Sequence, residues 1–166
     1  ATFKINLMPD IHIVDRYFEA VKDLGVKNDF KGLDFFISPE NQYDITKLPS
    51  AFQNGYHAFV IGGTYKTKIL PAVKIVEVIK KLDEPVVLLG GPDDVERADE
   101  VLSSVNENVI SLVGKINLEQ SASLVKMSKS VLTNDTGLMH IAAAFHKNIV
   151  SVWGNTVPEL GMYPYL

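Results

Sequence analysis

From Ala58 to Gly154 the sequence repeats one unit: a short apolar run ending in glycine or a small polar residue, followed by a segment of helical periodicity. The runs are AFVIGG (58–63), PVVLLGG (85–91), VISLVGK (109–115), SVLTND (130–135) and NIVSVWG (148–154). A continuous apolar run suits a strand buried on both faces of a parallel sheet, and consecutive parallel strands need a crossover of about a dozen residues. The segments between the runs supply it. LPAVKIVEVIKKL (70–82) is amphipathic, with Pro71 suited to a first turn. VERADEVLSSV (95–105) follows Asp93 and Glu96 in capping-box spacing, and Asn117 with Gln120 opens a helix running to about Ser128. TGLMHIAAAFH (136–146) is the last helix. The alternation predicts an α/β fold, a Rossmann-like doubly wound parallel sheet with helices on both faces.

The first 57 residues read differently. Ile13, Val14, Tyr17, Phe18, Val21 and Leu24 recur at helical spacing, with Asp10 to cap the start and Gly25 to close the end. DFFIS (34–38) reads as a short strand, and 39–57 contains two prolines and reads as a loop or linker. The expected division is therefore 1–57, the end of one domain (helix 10–24) plus an interdomain linker, and 58–166, a sheet domain. A chain that opens on Ala1 and closes on Tyr163-Pro164-Tyr165-Leu166 is expected to be a piece of something longer.

Composition narrows the function classes. The 166 residues are 46% hydrophobic and 22% charged, which suits a globular domain with a core. No apolar run reaches the roughly 18 residues needed to span a bilayer, and Lys4, Asn6 and Asp10 interrupt any signal-peptide core. With a net charge of −4 and only Arg16 and Arg97 as arginines, a nucleic-acid footprint is not expected. The absence of cysteine removes disulfides, thiolate metal sites and a Cys nucleophile, and fits a reducing cytoplasm. His12, His57, His140 and His146 have no metal-ligand spacing, so no metal and no cofactor is expected. GxSxG, GxxxxGK[ST] and GxGxxG are all missing.

In a doubly wound sheet, ligands bind beyond the carboxyl ends of the strands. Those ends carry Gly62-Gly63-Thr64, Gly90-Gly91-Pro92-Asp93, Gly114-Lys115, Asn134-Asp135-Thr136-Gly137 and Gly154-Asn155-Thr156. Glycines there either let a ligand approach backbone N–H groups or simply make tight turns. The segment 133–145 says most. A helix opening on Thr136 and Gly137 offers free N–H groups, a positive dipole end and a hydroxyl, which together suit a phosphate. Asp135 is either a helix cap or a ligand contact, and His140, one turn on, is either a core histidine or a hydrogen-bond donor to the ligand. Thr64, Lys66 and Lys68 stand above the first strand end, where a lysine is either a solvated loop residue or a counter-charge for a diphosphate.

The run TNDTGLMHIAAAFHKNIVSVWGNTVPE (133–159) resembles the DTG-x-x-H-x-A-A-A … P-x-V-x-x-(F/W/Y)-G-x-T motif of glycosyltransferase family 9, the ADP-heptose:lipopolysaccharide heptosyltransferases. GGTYKTKILP is similar to the family's strand-end Thr followed by Lys before Pro. VVLLGGPDDVERA resembles its LLGGP-acidic segment, and VGKINLEQSASLVKMS its GK-x-x-L-E-x-x-A stretch. HIVDRYFEAVKDLGV looks like the helix ahead of the interdomain linker. One departure is Lys147-Asn148-Ile149, where the family usually has a proline before the strand.

The resemblance implies the C-terminal, nucleotide-sugar-binding half of a two-domain GT-B glycosyltransferase. Phosphate and sugar contacts would fall on Thr64, Lys68, Asp135, Thr136, Gly137 and His140. The backbone around Lys115 and Ile116 would meet the adenosine, and Asp93 or Asp94 the ribose, the choice between them staying open. The implied donor is ADP-heptose and the implied acceptor a lipopolysaccharide core, in an inverting transfer whose catalytic base lies in the other half. This chain alone is then expected to bind nucleotide without transferring sugar, and the whole enzyme to be cytoplasmic, meeting the inner-membrane surface of a Gram-negative bacterium through that other half. The alternatives are another GT-B enzyme, such as a nucleotide-sugar epimerase, or a noncatalytic nucleotide-binding module.

Overall fold

A computed structural model describes residues 9–166; residues 1–8 of the segment expected to belong to a neighbouring domain lie outside the described residues. The five apolar runs form the strands β1 (His57–Val60), β2 (Val86–Leu89), β3 (Val109–Ser111), β4 (Ser130–Asn134) and β5 (Asn148–Val152) of one parallel sheet, in the order β3-β2-β1-β4-β5. His57 stands level with both Val86 and Ser130, so β1 occupies the centre of the sheet.

Period-two alternation divides the core into two layers. Ala58 and Val60 of β1 face one layer with Val87, Leu89 and Val131, while Phe59 and Ile61 face the other with Val86 and Leu88. Helices α3 (Ala72–Ile79) and α4 (Val95–Leu102) cover the second layer, through Ile75, Val76, Ala98 and Val101. Helices α5 (Leu118–Met127) and α6 (Gly137–Ala144) cover the first, through Ala122, Leu124 and Ala142. Strands are added outward from β1 to β3, then from β4 to β5 on the opposite side. Right-handed crossovers require the helices to change face when that direction reverses. They do so between β1 and β4.

The N-terminal third departs from expectation in detail. Helix α1 spans Ile13–Val21, followed by a 3-10 turn at Lys22–Leu24 that Gly25 closes in the left-handed region, at φ 76°. Its cap is His12 rather than Asp10. Nδ1 of His12 accepts the Val14 N–H at 3.1 Å, which leaves Nε2 as the donor to the Tyr163 carbonyl at 2.7 Å. The helix thereby docks on the far end of the chain, where Ile13 N–H also donates to the Gly161 carbonyl at 2.8 Å. DFFIS is extended without being a strand. Phe35 and Ile37 turn inward onto the first layer and Phe36 outward, so the alternation is real, but the segment has no hydrogen-bonded strand partner among the described residues.

The stretch expected as linker is bound into the core. Ser38 donates its N–H and hydroxyl to Glu119 on α5 at 2.8 and 2.5 Å, and Tyr43 N–H donates to Ser123 Oγ at 2.9 Å. Leu48 and Phe52, the latter on the short helix α2 (Ser50–Gln53), are buried, as is Tyr56, whose hydroxyl donates to the Leu124 carbonyl at 2.7 Å. Truncating Phe52, only 2% exposed, removes part of the first core layer. Phe52→Ala is expected to cost about 3–5 kcal/mol in urea denaturation, against less than about 1 kcal/mol if the segment were a loosely attached linker.

Candidate active site

The reversal of winding leaves the loops after β1 and β4 diverging, and the gap between them opens a cleft of about 820 Å³. That size suits a small-molecule or cofactor ligand. Its walls are the turn after β1 (Gly62 to Ile69), the turn after β2 (Gly90 to Asp94, with Arg97), the start of α5 and the residues from Asp135 to Leu138. Of the expected site residues, Thr64, Lys68, Asp93, Asp94, Ile116, Asp135, Thr136 and Gly137 line it. Lys115 and His140 do not. Lys115 is exposed and its ammonium donates to the Ser111 carbonyl at 2.9 Å. His140 is half-buried outside the cleft lining, within electrostatic reach of Asp135, His12 and Lys68.

Asp135 is not the helix cap. Thr136 is, its hydroxyl accepting the Leu138 N–H at 3.3 Å, and this frees the Asp135 carboxylate for other partners. One carboxylate oxygen, Oδ2, takes both the Lys68 ammonium at 2.6 Å and the Thr156 hydroxyl at 2.7 Å. Burial pushes the Asp135 carboxyl pKa up, but the hydrogen bonds from Lys68 and Thr156 and the Lys68 charge outweigh it and hold the group below the usual carboxylate value. Burial likewise pushes His140 below its ordinary pKa, against the pull of the Asp135 charge.

Asn134 organises this pair. Fully buried at the end of β4, it donates to the Ile61 and Gly62 carbonyls at 3.0 and 3.1 Å and accepts the Leu70 N–H at 3.2 Å. It therefore ties the end of β1 to the chain leaving the Lys66–Lys68 turn. The far side of that turn is held by Asn155, whose N–H donates to the Thr67 carbonyl at 3.1 Å. Gly154 makes this approach possible, because a Cβ there would overlap the Thr67 oxygen. Sequence reading placed Asn134 at a strand end without giving it a role; its signal was an amide side chain at the carboxyl end of a buried strand.

Across the cleft, the N-cap of α4 is Asp94 rather than Asp93, and its carboxylate closes the preceding Pro92–Asp94 turn instead of accepting a backbone N–H of the helix. It accepts the Gly91 N–H at 2.9 Å and pairs with Arg97 at 2.7 Å, and Arg97 in turn donates to the Ile61 carbonyl at 3.2 Å. Asp94 crowds two strand ends, both of them glycine. A Cβ on Gly62 would overlap its carboxylate, and one on Gly90 would stand 2.9 Å from Oδ2. These two glycines thus make room for a side chain of the protein. Gly137 differs, since nothing lies within 4 Å of where its Cβ would be. Asp93 is exposed, lines the cleft and has no partner among the described residues. Val60, Ile69, Ile116, Leu118 and Leu138 contribute apolar surface to the lining.

The chain matches the sequence profile of glycosyltransferase family 9 (heptosyltransferase) over residues 2–165. It belongs to that family. It aligns with lipopolysaccharide heptosyltransferase 2 of Escherichia coli K12 at 28% identity, over 89% of this chain and 47% of that protein. Among solved structures, a family 9 glycosyltransferase from Veillonella parvula superposes with a TM-score of 0.81 at 25% identity, over 97% of this chain and 49% of that one. The E. coli heptosyltransferase WaaC with ADP superposes at 0.71 with 30% identity, over 97% of this chain and 50% of that one. The family 9 chain described here thus spans about half the length of the relatives it matches. Its five-strand parallel sheet with flanking helices matches the GT-B heptosyltransferase structures. No helix among its described residues is long and apolar enough to cross a membrane.

Two stability measurements check this geometry. Lys68→Met leaves a buried, unpaired Asp135 and is expected to cost about 2–4 kcal/mol at pH 7. Because the folded-state pKa of Asp135 is lowered, the pair's contribution is present at neutral pH and is lost as pH falls through that lowered value. In the variant, burial lets Asp135 protonate earlier, so the deficit should narrow as denaturation is followed from pH 7 towards pH 4. Separately, Gly62→Ala is expected to lower stability by about 1–3 kcal/mol, while Gly137→Ala stays within about 0.5 kcal/mol.

Proposed function

We propose that the chain is the nucleotide-sugar-binding, C-terminal half of an inverting glycosyltransferase that uses ADP-heptose and glycosylates a lipopolysaccharide core. The observation that carries this reading is the cleft at the β1/β4 reversal, where the open start of α6 lies beside the Lys68–Asp135 pair. Backbone N–H groups at Thr136 and Gly137, with the hydroxyls of Thr64 and Thr136, suit a diphosphate. Lys68, Asp135 and His140 are assigned to the phosphates and donor sugar, with His140 reaching the site only if the ligand or its own side chain moves. The adenine is assigned to the apolar wall at Ile116 and the backbone at Lys115. Of the two candidate ribose contacts, Asp93 is favoured, because Asp94 already serves Gly91 and Arg97.

In this reaction the acceptor hydroxyl attacks the anomeric carbon and the nucleoside diphosphate leaves. Negative charge grows on the departing diphosphate, and donors held in place beforehand give the most electrostatic help. The α6 start and the turn carrying Lys68 are held by Asn134, Asn155 and Thr156, so they need little reorganisation. The catalytic base and the acceptor site are assigned to the half that this chain lacks relative to its relatives, and holding both sugars between the halves supplies the proximity term. That half would also contact the cytoplasmic face of the inner membrane. Under this reading residues 1–57 are the end of the preceding domain and the connection, and 58–166 the donor domain, with 38–56 docked on the latter.

ADP at about a hundredfold excess over its Kd is expected to raise the melting temperature by roughly 5–10 °C. Lys68→Ala and Thr136→Ala should each weaken ADP binding about tenfold or more in calorimetry. Stronger stabilisation by UDP or GDP would overturn the ADP-heptose reading and leave the fold untouched. A two-domain protein that binds ADP but transfers no sugar would point to a noncatalytic nucleotide-binding module.

A further inference from the structure

We propose that Lys66, which the family resemblance leaves without a role, is the residue that supplies an unpaired positive charge to the diphosphate in this cleft, alongside the paired Lys68. The inference rests on the reading that the cleft takes a nucleoside diphosphate.

The argument is a balance of charges. Three cationic side chains line the cleft, Lys66, Lys68 and Arg97, and three carboxylates, Asp93, Asp94 and Asp135. Two of the cations are already matched. Lys68 lies 2.6 Å from Asp135 with its side chain 21% exposed, and Arg97 lies 2.7 Å from Asp94 with 22% exposed. A closely matched pair presents a dipole to a third charge, and its field falls off faster than that of a lone cation. Lys68 therefore acts first on Asp135, cancelling a carboxylate that would otherwise repel an anion from the α6 start. Among the described residues Lys66 is the cleft cation without an ion-pair or hydrogen-bond partner, and it is exposed.

Its backbone is nevertheless fixed. Lys66 begins the 3-10 turn Lys66–Lys68, in which Lys68 N–H donates to the Tyr65 carbonyl at 2.9 Å, and Asn155 pins Thr67 from behind. At three residues per turn, side chains two positions apart point about 120° away from each other. One lysine can thus turn to Asp135 while the other remains available to the mouth of the cleft. A free ammonium on an anchored backbone loses only its own rotamer freedom when it meets a phosphate.

Calorimetry on the 166-residue chain, with ADP, AMP and inorganic pyrophosphate as probes, tests this for wild type, Lys66→Met and Lys66→Arg, with circular dichroism to verify folding. Lys66→Met is expected to weaken ADP and pyrophosphate about tenfold, to change AMP less than about twofold, and to flatten the salt dependence of ADP binding. Lys66→Arg should restore most of the loss. ADP binding by Lys66→Met within about twofold of wild type overturns the role of Lys66 and leaves the nucleotide reading intact. Equal losses for ADP and AMP also overturn the diphosphate assignment. Lys66-dependent binding of pyrophosphate with no binding of ADP upholds the role of Lys66 and overturns the nucleotide reading. Binding of neither overturns both.

Discussion

Right-handed crossovers, combined with a reversal in the direction of strand addition, govern everything that matters about this domain. Once β1 is central and the chain adds β2 and β3 on one side, β4 must return to β1's other edge, and the helices that follow must lie on the opposite face. The loops leaving β1 and β4 then part company. Asn134, at the end of β4, bridges that divergence by bonding the two carbonyls that follow β1 and the Leu70 N–H. The cleft exists because the winding reverses, and its floor keeps its shape because one buried amide is fully satisfied.

Charge inside the cleft follows a second rule: a buried ion needs a partner. Lys68 and Thr156 converge on Asp135, and Arg97 and the Gly91 N–H converge on Asp94. The two arrangements sit on opposite walls and serve different ends. Asp94 locks the turn after β2 and crowds the glycines at positions 62 and 90, whereas Asp135 stands at the open helix start, beside the proposed diphosphate site. Lys66 and Asp93 remain uncommitted among the described residues, one of each sign, and face the same space.

Much of the fold could be read from periodicity. All five strands lie where the apolar runs predicted, and Asn117 and Gln120 form the expected reciprocal cap, with bonds of 2.9 and 3.0 Å. The caps expected at Asp10 and Asp93 lie instead at His12 and Asp94, and of the two roles left open for Asp135 the cap falls to Thr136. Spacing identifies a turn with cap-forming residues, but which oxygen meets which N–H depends on angles that a one-residue shift changes. DFFIS shows the same limit, because alternation reports an extended chain and says nothing about an adjacent strand. In the cleft, most of the expected residues are brought together, while Lys115 turns to its own strand's carbonyl and His140 lies outside the cleft wall.

By itself, the sequence determined the α/β class, the five strands of the sheet, the position of their ends and the motif that marks the family, since each depends on local spacing or on side-chain type. Only the tertiary structure decided that 38–56 docks into the core, that Lys68 is paired with Asp135, and that Gly62 and Gly90 accommodate a carboxylate of the protein itself. These contacts join residues up to 81 positions apart, as in Ser38 to Glu119. No periodicity encodes such pairings, because they arise where packed helices and a twisted sheet happen to bring distant side chains within a few ångströms.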